Sequence, residues 1–556
     1  MTHTARLYHP HAGLLAPADL RRAGRLMKEE LARSVDLLRR PRHPRVYYLS
    51  YLFRNERRES VFGRLGAVVE HQTNTRNFVF CDVRVGSHRY DQVAHGGLHD
   101  NDETAESTDY IGMPAEIGPE AVKFALWRLT DARYREAAQK YYERKSKELH
   151  YVDEQRGLPS KAKLPPARST AIRRFPEVDI DYWRYLIRKA SALLKEYPNI
   201  HVSDFEFVAW HRQQLFVDSV GSEIVQQMSI FDLAARFWLI TPRGAPVEQE
   251  VALIVGDLAD LPSEKDLLRM VRERIDLILK LASAPHLNAF SGPVLLAPVP
   301  TGLFFHEVVG HRLEGSRLLS SDEGATFADL RGKQIAPEFV DIIDDPTVTT
   351  FAGRRLTGHF RFDDEGVPAR RAVLVQRGKL RSFLTTSAPI PGQQELNGHA
   401  RNERHERPIS RMGNLFVVNR APVPRDELWQ RFLEEIKRRK APFGIWVRET
   451  LGGETYTTKY DFQAFKGEIM HAVRVFPSGR TELVRGVDFV GTPLSALDAL
   501  LCMGDDPTVD NAFCGAESGQ IPVSTIAPSA LLGNLELQSK DRQKLTQFAM
   551  PPPHAR

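Results

Sequence analysis

G-L-F-F-H-E-V-V-G-H-R-L-E-G, residues 302–315, sets two imidazoles and a carboxylate on one short apolar segment. His306 and His311 can each offer a neutral ring nitrogen to Zn2+, and Glu307, beside the first, stands where it can take a proton from an activated water. In the H-E-x-x-H pattern the histidines are four apart and lie one turn above each other on a helix face. Here they are five apart, and at about 100° per residue that step turns the second ring roughly 140° from the first in a regular α-helix. The pair chelates only if a π-bulge, or a break at Gly310, brings positions five apart back to one side. Without that distortion, His306 and His311 are two ordinary histidines on a partly buried helix.

H-E-V-V-G-H-R-L-E-G resembles the signature of the TldD/PmbA family of metallopeptidases, in its zinc-bearing TldD-type members, whose motif is H-E-x-x-x-H with glycine before the second histidine. The resemblance extends through ordered blocks: H-E-R-P-I-S-R-M-G-N-L-F-V, G-I-W-V-R-E-T-L-G-G-E-T-Y, F-Q-A-F-K-G-E-I-M-H-A-V-R-V and V-R-G-V-D-F-V-G-T-P-L-S-A-L. It ends in a segment like the family's cysteine segment, C-G-A-E-S-G-Q-I-P-V-S-T-I-A-P-S-A-L-L-G-N-L, which begins at Cys514. What it implies is a zinc peptidase acting on unstructured or extended peptides, with His306, His311 and Cys514 as zinc ligands and Glu307 as catalytic base. Three protein ligands leave a fourth position for water. Cys502 is the rival thiol, placed behind Cys514 because it follows a helix-like run. Gly452 and Gly453 are candidate points of close backbone approach for an extended peptide. The resemblance also implies a cytoplasmic homodimer, or a heterodimer with a family member lacking the metal motif. The alternative is a non-catalytic peptide-binding partner subunit of a two-component protease, although such a subunit has no need to keep both histidines, the glutamate and the cysteine.

Composition sets the background. The 556 residues, 42% hydrophobic and 26% charged, predict an ordinary globular chain of more than one domain. Lys plus Arg number 76 against 71 for Asp plus Glu, a balance that gives no nucleic-acid or membrane signal. The N-terminal segment lacks an apolar stretch behind a basic start, so no signal peptide is expected, and no run approaches the roughly 18 apolar residues of a membrane span. Cys81, Cys502 and Cys514 are too few for a disulfide framework, which favours a reducing cytoplasm where a thiolate ligand stays available.

The expected fold class is α+β in two domains: an N-terminal α/β-mixed domain over 1–290, carrying a basic, proline-rich insertion at 154–178, and a C-terminal β-rich metal-binding domain over 291–542, with a tail at 543–556. Apolar periodicity predicts helices over 18–40, 118–150, 182–197 and, capped by Ser263, through Leu267, Val271, Ile275, Ile278 and Ala282. Alternating runs between them predict an antiparallel sheet. The arginines between Arg39 and Arg58, interleaved with tyrosines, read as the solvated edge of a strand in preference to a nucleic-acid stripe. The acidic run 99–109 reads as a solvated loop, and Cys81 as a core residue. Residues 292–300 read as a buried strand leading to the histidines. Beyond them, one helix is expected over 426–440 and hairpins at Arg377-Gly378 and Ser478-Gly479.

Overall fold

The computed structural model describes residues 14–38, 43–93, 97–98, 113–148, 157–320, 322–323, 326–459, 462–540, 545 and 550. The acidic run 99–109, the first residues of the proline-rich piece and nearly all of the tail lie outside the described residues.

One long antiparallel sheet organises the N-terminal half. Val46–Arg64 (β1) and Ala67–Val85 (β2) form a hairpin. It turns at Leu65 and Gly66, both at positive φ, 46° and 80°, which matches the twist of the flanking strands. Arg168–Thr170 (β3), Val202–Asp218 (β4), Glu223–Ile240 (β5) and Pro246–Val255 (β6) complete the order β2-β1-β4-β5, with β3 and β6 beside different stretches of β5. Period-two alternation gives this sheet two different faces. Leu49, Tyr51, Phe53 and Leu215 lie under helices Pro17–Leu37 (α1) and Pro119–Glu148 (α2). On the same face, Val61, Phe207 and Phe231 lie under Ile180–Ala192 (α3) and Glu264–Ser283 (α4). Four members of the predicted stripe in α4, Leu267, Val271, Ile275 and Ile278, are buried, each contributing about 1.5–3 kcal/mol, whereas Ala282 is half-buried and Leu281 takes the buried place in the last turn. Ser263 accepts from the Asp266 N–H, as the cap requires.

The other face carries Leu52, Phe80, Phe216 and Ile224, and Phe362 of the C-terminal half packs there. Farther along it the contacts become polar. Arg54 pairs with Asp364 at 3.0 Å and donates to Asn402 at 2.7 Å. On the helix-bearing face, Arg57 pairs with Glu59. These two arginines are 1% and 3% exposed, and β1 lies between β2 and β4. The solvated edge expected of them is corrected: β1 is an interior strand whose charges are satisfied mostly from across the chain.

From Phe290 the chain runs through Phe290–Leu296 (β7), Pro298–Phe305 (α5), the histidine segment, Val340–Asp344 (β8), Ala372–Gln376 (β9), Lys379–Leu380 (β10), Asn414–Asn419 (β11), Arg425–Arg438 (α6), Gly444–Thr455 (β12), Phe465–Val475 (β13), Thr481–Val484 (β14), Val487–Gly491 (β15), Leu500–Met503 (β16), Thr508–Ala516 (β17), Gly519–Ala527 (β18) and Ala530–Ser539 (β19). Residues 298–300 are the first turn of α5 and not a strand end, a position where a proline's missing N–H costs nothing. Strands β12, β7, β19, β15 and β13 pair in that order, and β13 pairs back onto β12, closing a five-stranded barrel. A second sheet runs β10-β9-β8-β11-β18-β17. The largest core joins the two, with Phe304, Phe305, Val308 and Val309 of the histidine segment among side chains from both. The protein is α+β, with a mixed N-terminal half and a β-rich C-terminal half.

Candidate metal centre

The distortion that the five-residue spacing requires is present. His306–Gly310 continue α5 as a π-helical turn, and the His311 N–H donates to the His306 carbonyl five residues back. Gly310 is needed because a Cβ there would overlap Met412 Sδ. Arg312 fastens the turn, donating to the Glu307 carbonyl at 2.6 Å and to the Gln463 carbonyl at 2.8 Å.

As a result both imidazoles reach one thiol. His306 Nε2 is 3.3 Å from Cys514 Sγ, and His311 Nε2 is 3.4 Å from it. One donor atom from each of the three residues lies within 4.8 Å of the others, and all three residues are buried. A tetrahedral zinc with bonds of about 2.3 Å to sulfur and about 2.0 Å to nitrogen spaces those atoms about 3.5 Å apart, so the trio fits the ion. Burial alone would drive the thiol upward. His311, Arg411 and His306 override it and hold Cys514 well below the ordinary thiol range. Burial likewise opposes charge on His311, and Cys514 and Glu314 outweigh it, pushing the imidazole up. The sulfur is therefore kept as the thiolate, the form that ligates a metal.

A shell of buried charge orients these donors. Glu314 Oε1 lies 3.2 Å from His311 Nδ1 and its Oε2 accepts from Arg317 at 3.1 Å. A carboxylate on that nitrogen fixes the tautomer that leaves Nε2 free. Burial opposes the Glu314 charge, but His311 and Arg317 hold its carboxyl down at about 2. Arg411, fully buried, donates to Cys514 Sγ at 3.2 Å and to the Cys514 carbonyl at 2.7 Å. Arg317 also pairs with Glu323 and with Glu517 on the cysteine-bearing hairpin. Sequence reasoning included Glu314 only as a letter of the motif and passed over Arg317 and Arg411. The available signal was a charged residue inside an otherwise uncharged run, as in P-I-S-R-M-G-N-L-F-V.

The trio opens into a cleft of about 900 Å³ between the helix-free face of the N-terminal sheet and the C-terminal half. Glu307 lines it, 5% exposed, and burial pushes its carboxyl up against the pull of His306 and His311. Strand β12 pairs with β7 only over 445–447, so along 449–455 one edge has no strand beside it among the described residues. Gly452 and Gly453 stand on that edge and line the cleft. A Cβ on Gly453 would sit 2.9 Å from Glu307 Cγ and from the Lys466 carbonyl, whereas one on Gly452 meets open space. Gly453 is the position that needs a glycine. Asp232 of β5 and Asp510 of β17 line the same cleft, each pushed up to about 6 by burial, and neither stood out in the sequence.

Other candidates fall elsewhere. Cys502 packs with Phe432 and Ile436, away from the trio. Cys81 is a core residue whose thiol burial pushes up to about 12. His399 is a core histidine held between Asn397 and Asp344.

Comparison with known proteins places this arrangement. Residues 291–539 match the family model of the PmbA/TldA metallopeptidase C-terminal domain. A metalloprotease of Methanothermobacter thermautotrophicus is 31% identical over 271 residues, which are 49% of this chain and 54% of that protein. A zinc metalloprotease TldD homolog of Saccharolobus solfataricus is 26% identical over 359 residues, 63% of this chain and 74% of that one. The chain spans about half the length of the first of these relatives. Among solved structures, TldE from Thermococcus kodakarensis superposes with a TM-score of 0.60 at 15% identity, covering 92% of this chain and 100% of that one. A putative modulator of DNA gyrase from Bacteroides thetaiotaomicron gives 0.62 at 12% identity, covering 95% and 100%. The structural likenesses show the fold, and the stretch that carries both histidines and the cysteine, residues 291–539, is similar to the C-terminal domain of the PmbA/TldA metallopeptidases.

Proposed function

We propose that the protein is a zinc-dependent peptidase that cuts unstructured or extended peptides. The observation that carries this reading is the convergence of His306, His311 and Cys514 within 4.8 Å, with Glu307 beside them, at the wall of a cleft bounded by an unpaired strand edge. A zinc ion held by the trio supplies Lewis acidity and makes water available as a nucleophile near neutral pH. The chain's own residues do the rest. The open edge along 449–455 receives an extended substrate as an added strand, which selects for unfolded segments because main-chain hydrogen bonds carry the recognition. Gly453 lets that backbone come alongside Glu307. Glu307 takes the proton of the attacking water and returns it to the leaving amine, and its upward-shifted carboxyl suits it to both steps. Glu314 holds the His311 ring, and Arg411 holds the Cys514 sulfur.

The three free cysteines suit a reducing cytoplasm, and the family likeness supports action as a homodimer or beside a metal-free paralogue. The test is cleavage of an unstructured peptide mixture by the wild type and by Glu307→Ala with zinc supplied, read by mass spectrometry. Cleavage by the wild type alone supports the reading. If neither cuts while both bind zinc, the lone chain is not a sufficient peptidase.

A further inference from the structure

Most carboxylates that line the cleft have a cation of this chain beside them: Glu250 pairs with Arg236, Glu449 with Arg274, Glu454 with Lys466 and Glu517 with Arg317. Asp232 forms no ion pair among the described residues, but Arg236 and Arg58 act on its charge. Asp510 has no such arginine. Among the described residues it accepts no hydrogen bond and forms no ion pair, and His306 is the charged group that acts on it. It is half-buried and open to the cleft. A carboxylate taken partly out of water with no partner costs stability, and a ligand cation would offset that cost where a neutral group would not.

Its position relative to the metal trio is set by β17. Asp510 stands four residues before Cys514 on that strand, hence on the same face, about 13 Å away from it along the chain at about 3.3 Å per residue. Thr525, directly opposite Asp510 on β18, would lie 3.1 Å from a Cβ on Gly302, so α5 lies across this face. The open edge of β12 follows the same course. At its start the Val447 carbonyl accepts from the Ala297 N–H, just ahead of α5, and farther on Gly453 stands against Leu303 and Glu307. A peptide extended along that edge, with one peptide bond at the metal, therefore carries a group roughly three or four residues away past Asp510.

We propose, resting on the reading of this cleft as a peptide site, that Asp510 is a specificity residue that binds a cationic group of the substrate, either a basic side chain or the peptide's terminal ammonium. Selectivity comes from the carboxylate's lack of any other partner: a neutral substrate leaves it unpaired in the closed cleft.

Fluorescence anisotropy of zinc-loaded Glu307→Ala, with and without Asp510→Asn, tests it. The probes are acetylated neutral peptides in which a single lysine, or uncharged norleucine, is moved along the sequence, and one neutral peptide with a free or an acetylated terminus. At one position the cationic peptide should bind at least about tenfold more tightly than its uncharged counterpart, and Asp510→Asn should bring that ratio to about one. Each ratio is taken within one protein, so a partly unfolded variant does not distort it. A preference for lysine identifies a side chain as the cation, and a preference for the free terminus identifies the ammonium. Absence of binding, equal binding of cationic and neutral peptides, or a ratio that Asp510→Asn leaves in place overturns the proposal. Zinc affinity, read with a chromophoric chelator, should stay within about twofold of wild type; a larger loss assigns Asp510 to the support of His306 and also overturns it. Selective binding without cleavage by the wild type would instead refute the peptidase reading and leave this site standing.

Discussion

Replacing Glu314 by Gln should weaken zinc binding about 100-fold, and the structure sets that figure at the upper end of the range for such partners. Two groups converge on this carboxylate: His311 Nδ1 lies 3.2 Å from Oε1 as a charge contact, and Arg317 donates to Oε2 at 3.1 Å. A carboxylate accepts at both oxygens, whereas an amide has one acceptor and one donor end. In either orientation, the introduced amide would turn its NH2 against His311 or Arg317. Loss of a partner to a ligating histidine costs about 10–100-fold in affinity, roughly 1.4–2.8 kcal/mol, and the forced clash favours the larger value. The fold should survive, because Arg317 keeps Glu323 and Glu517, and Arg411 keeps the Cys514 carbonyl, Ser518 and Gly519. Competition with a chromophoric chelator measures the affinity, and urea unfolding checks the fold. An affinity within about twofold of wild type in a folded variant would show that Glu314 does not orient His311, and the account of the buried charge shell would fail.

Cys514→Ser should abolish the sulfur-to-metal absorption of the cobalt-loaded protein, whereas Cys502→Ser should leave it unchanged. Gly310→Ala must push aside Met412, so it should destabilise the chain by about 1–3 kcal/mol in urea unfolding and weaken metal binding. Metal removal should lower stability by about 2.7 kcal/mol relative to protein at a hundredfold excess of zinc over its dissociation constant, seen as a lower Tm. Burial raises Asp232 from 3.8 to about 6, so the folded state holds a proton that the unfolded state releases, and the stability this group costs sets in as pH rises from about 4 through 6. Asp232→Asn should therefore stabilise the protein at pH 8 by up to about 3 kcal/mol and change little below pH 4, in denaturant titrations at both values.

What the sequence revealed divides by distance along the chain. Ser263, the apolar periodicity over 118–150 and the apolar stripe of α4 are local signals, and those helices lie close to where they were expected. The histidine spacing is also local. It could state that a π-turn was required, but the contact that makes Gly310 necessary comes from Met412, about a hundred residues on. Arg54 was misread because it is satisfied by Asn402, 348 residues away, and an arginine without visible partners reads as solvated. Arg411 was missed for the same reason, since its acceptors lie on the cysteine hairpin 103 residues and more downstream. Barrel closure was also out of reach, because β7 pairs with β12 and β19 and no periodicity reports which distant strands become neighbours.

The same long-range pairing explains why the donors meet. The histidines ride on α5, which follows directly from barrel strand β7. Cys514 rides on β17, whose partner β18 is held parallel to β11, with Ser524 beside Asn414, so the sulfur belongs to the second sheet. Arg317, Arg411 and Glu314 bridge the two bodies and supply the opposite charges that make their buried meeting tolerable. A metal bound by the trio therefore ties the barrel side of the core to the sheet side, and any change that shifts the two relative to each other acts on ligand geometry without touching a ligand. Gly310 against Met412 is such a contact: one partner lies in the π-turn and the other precedes β11, so its packing sets the distance across which the histidines reach the thiolate.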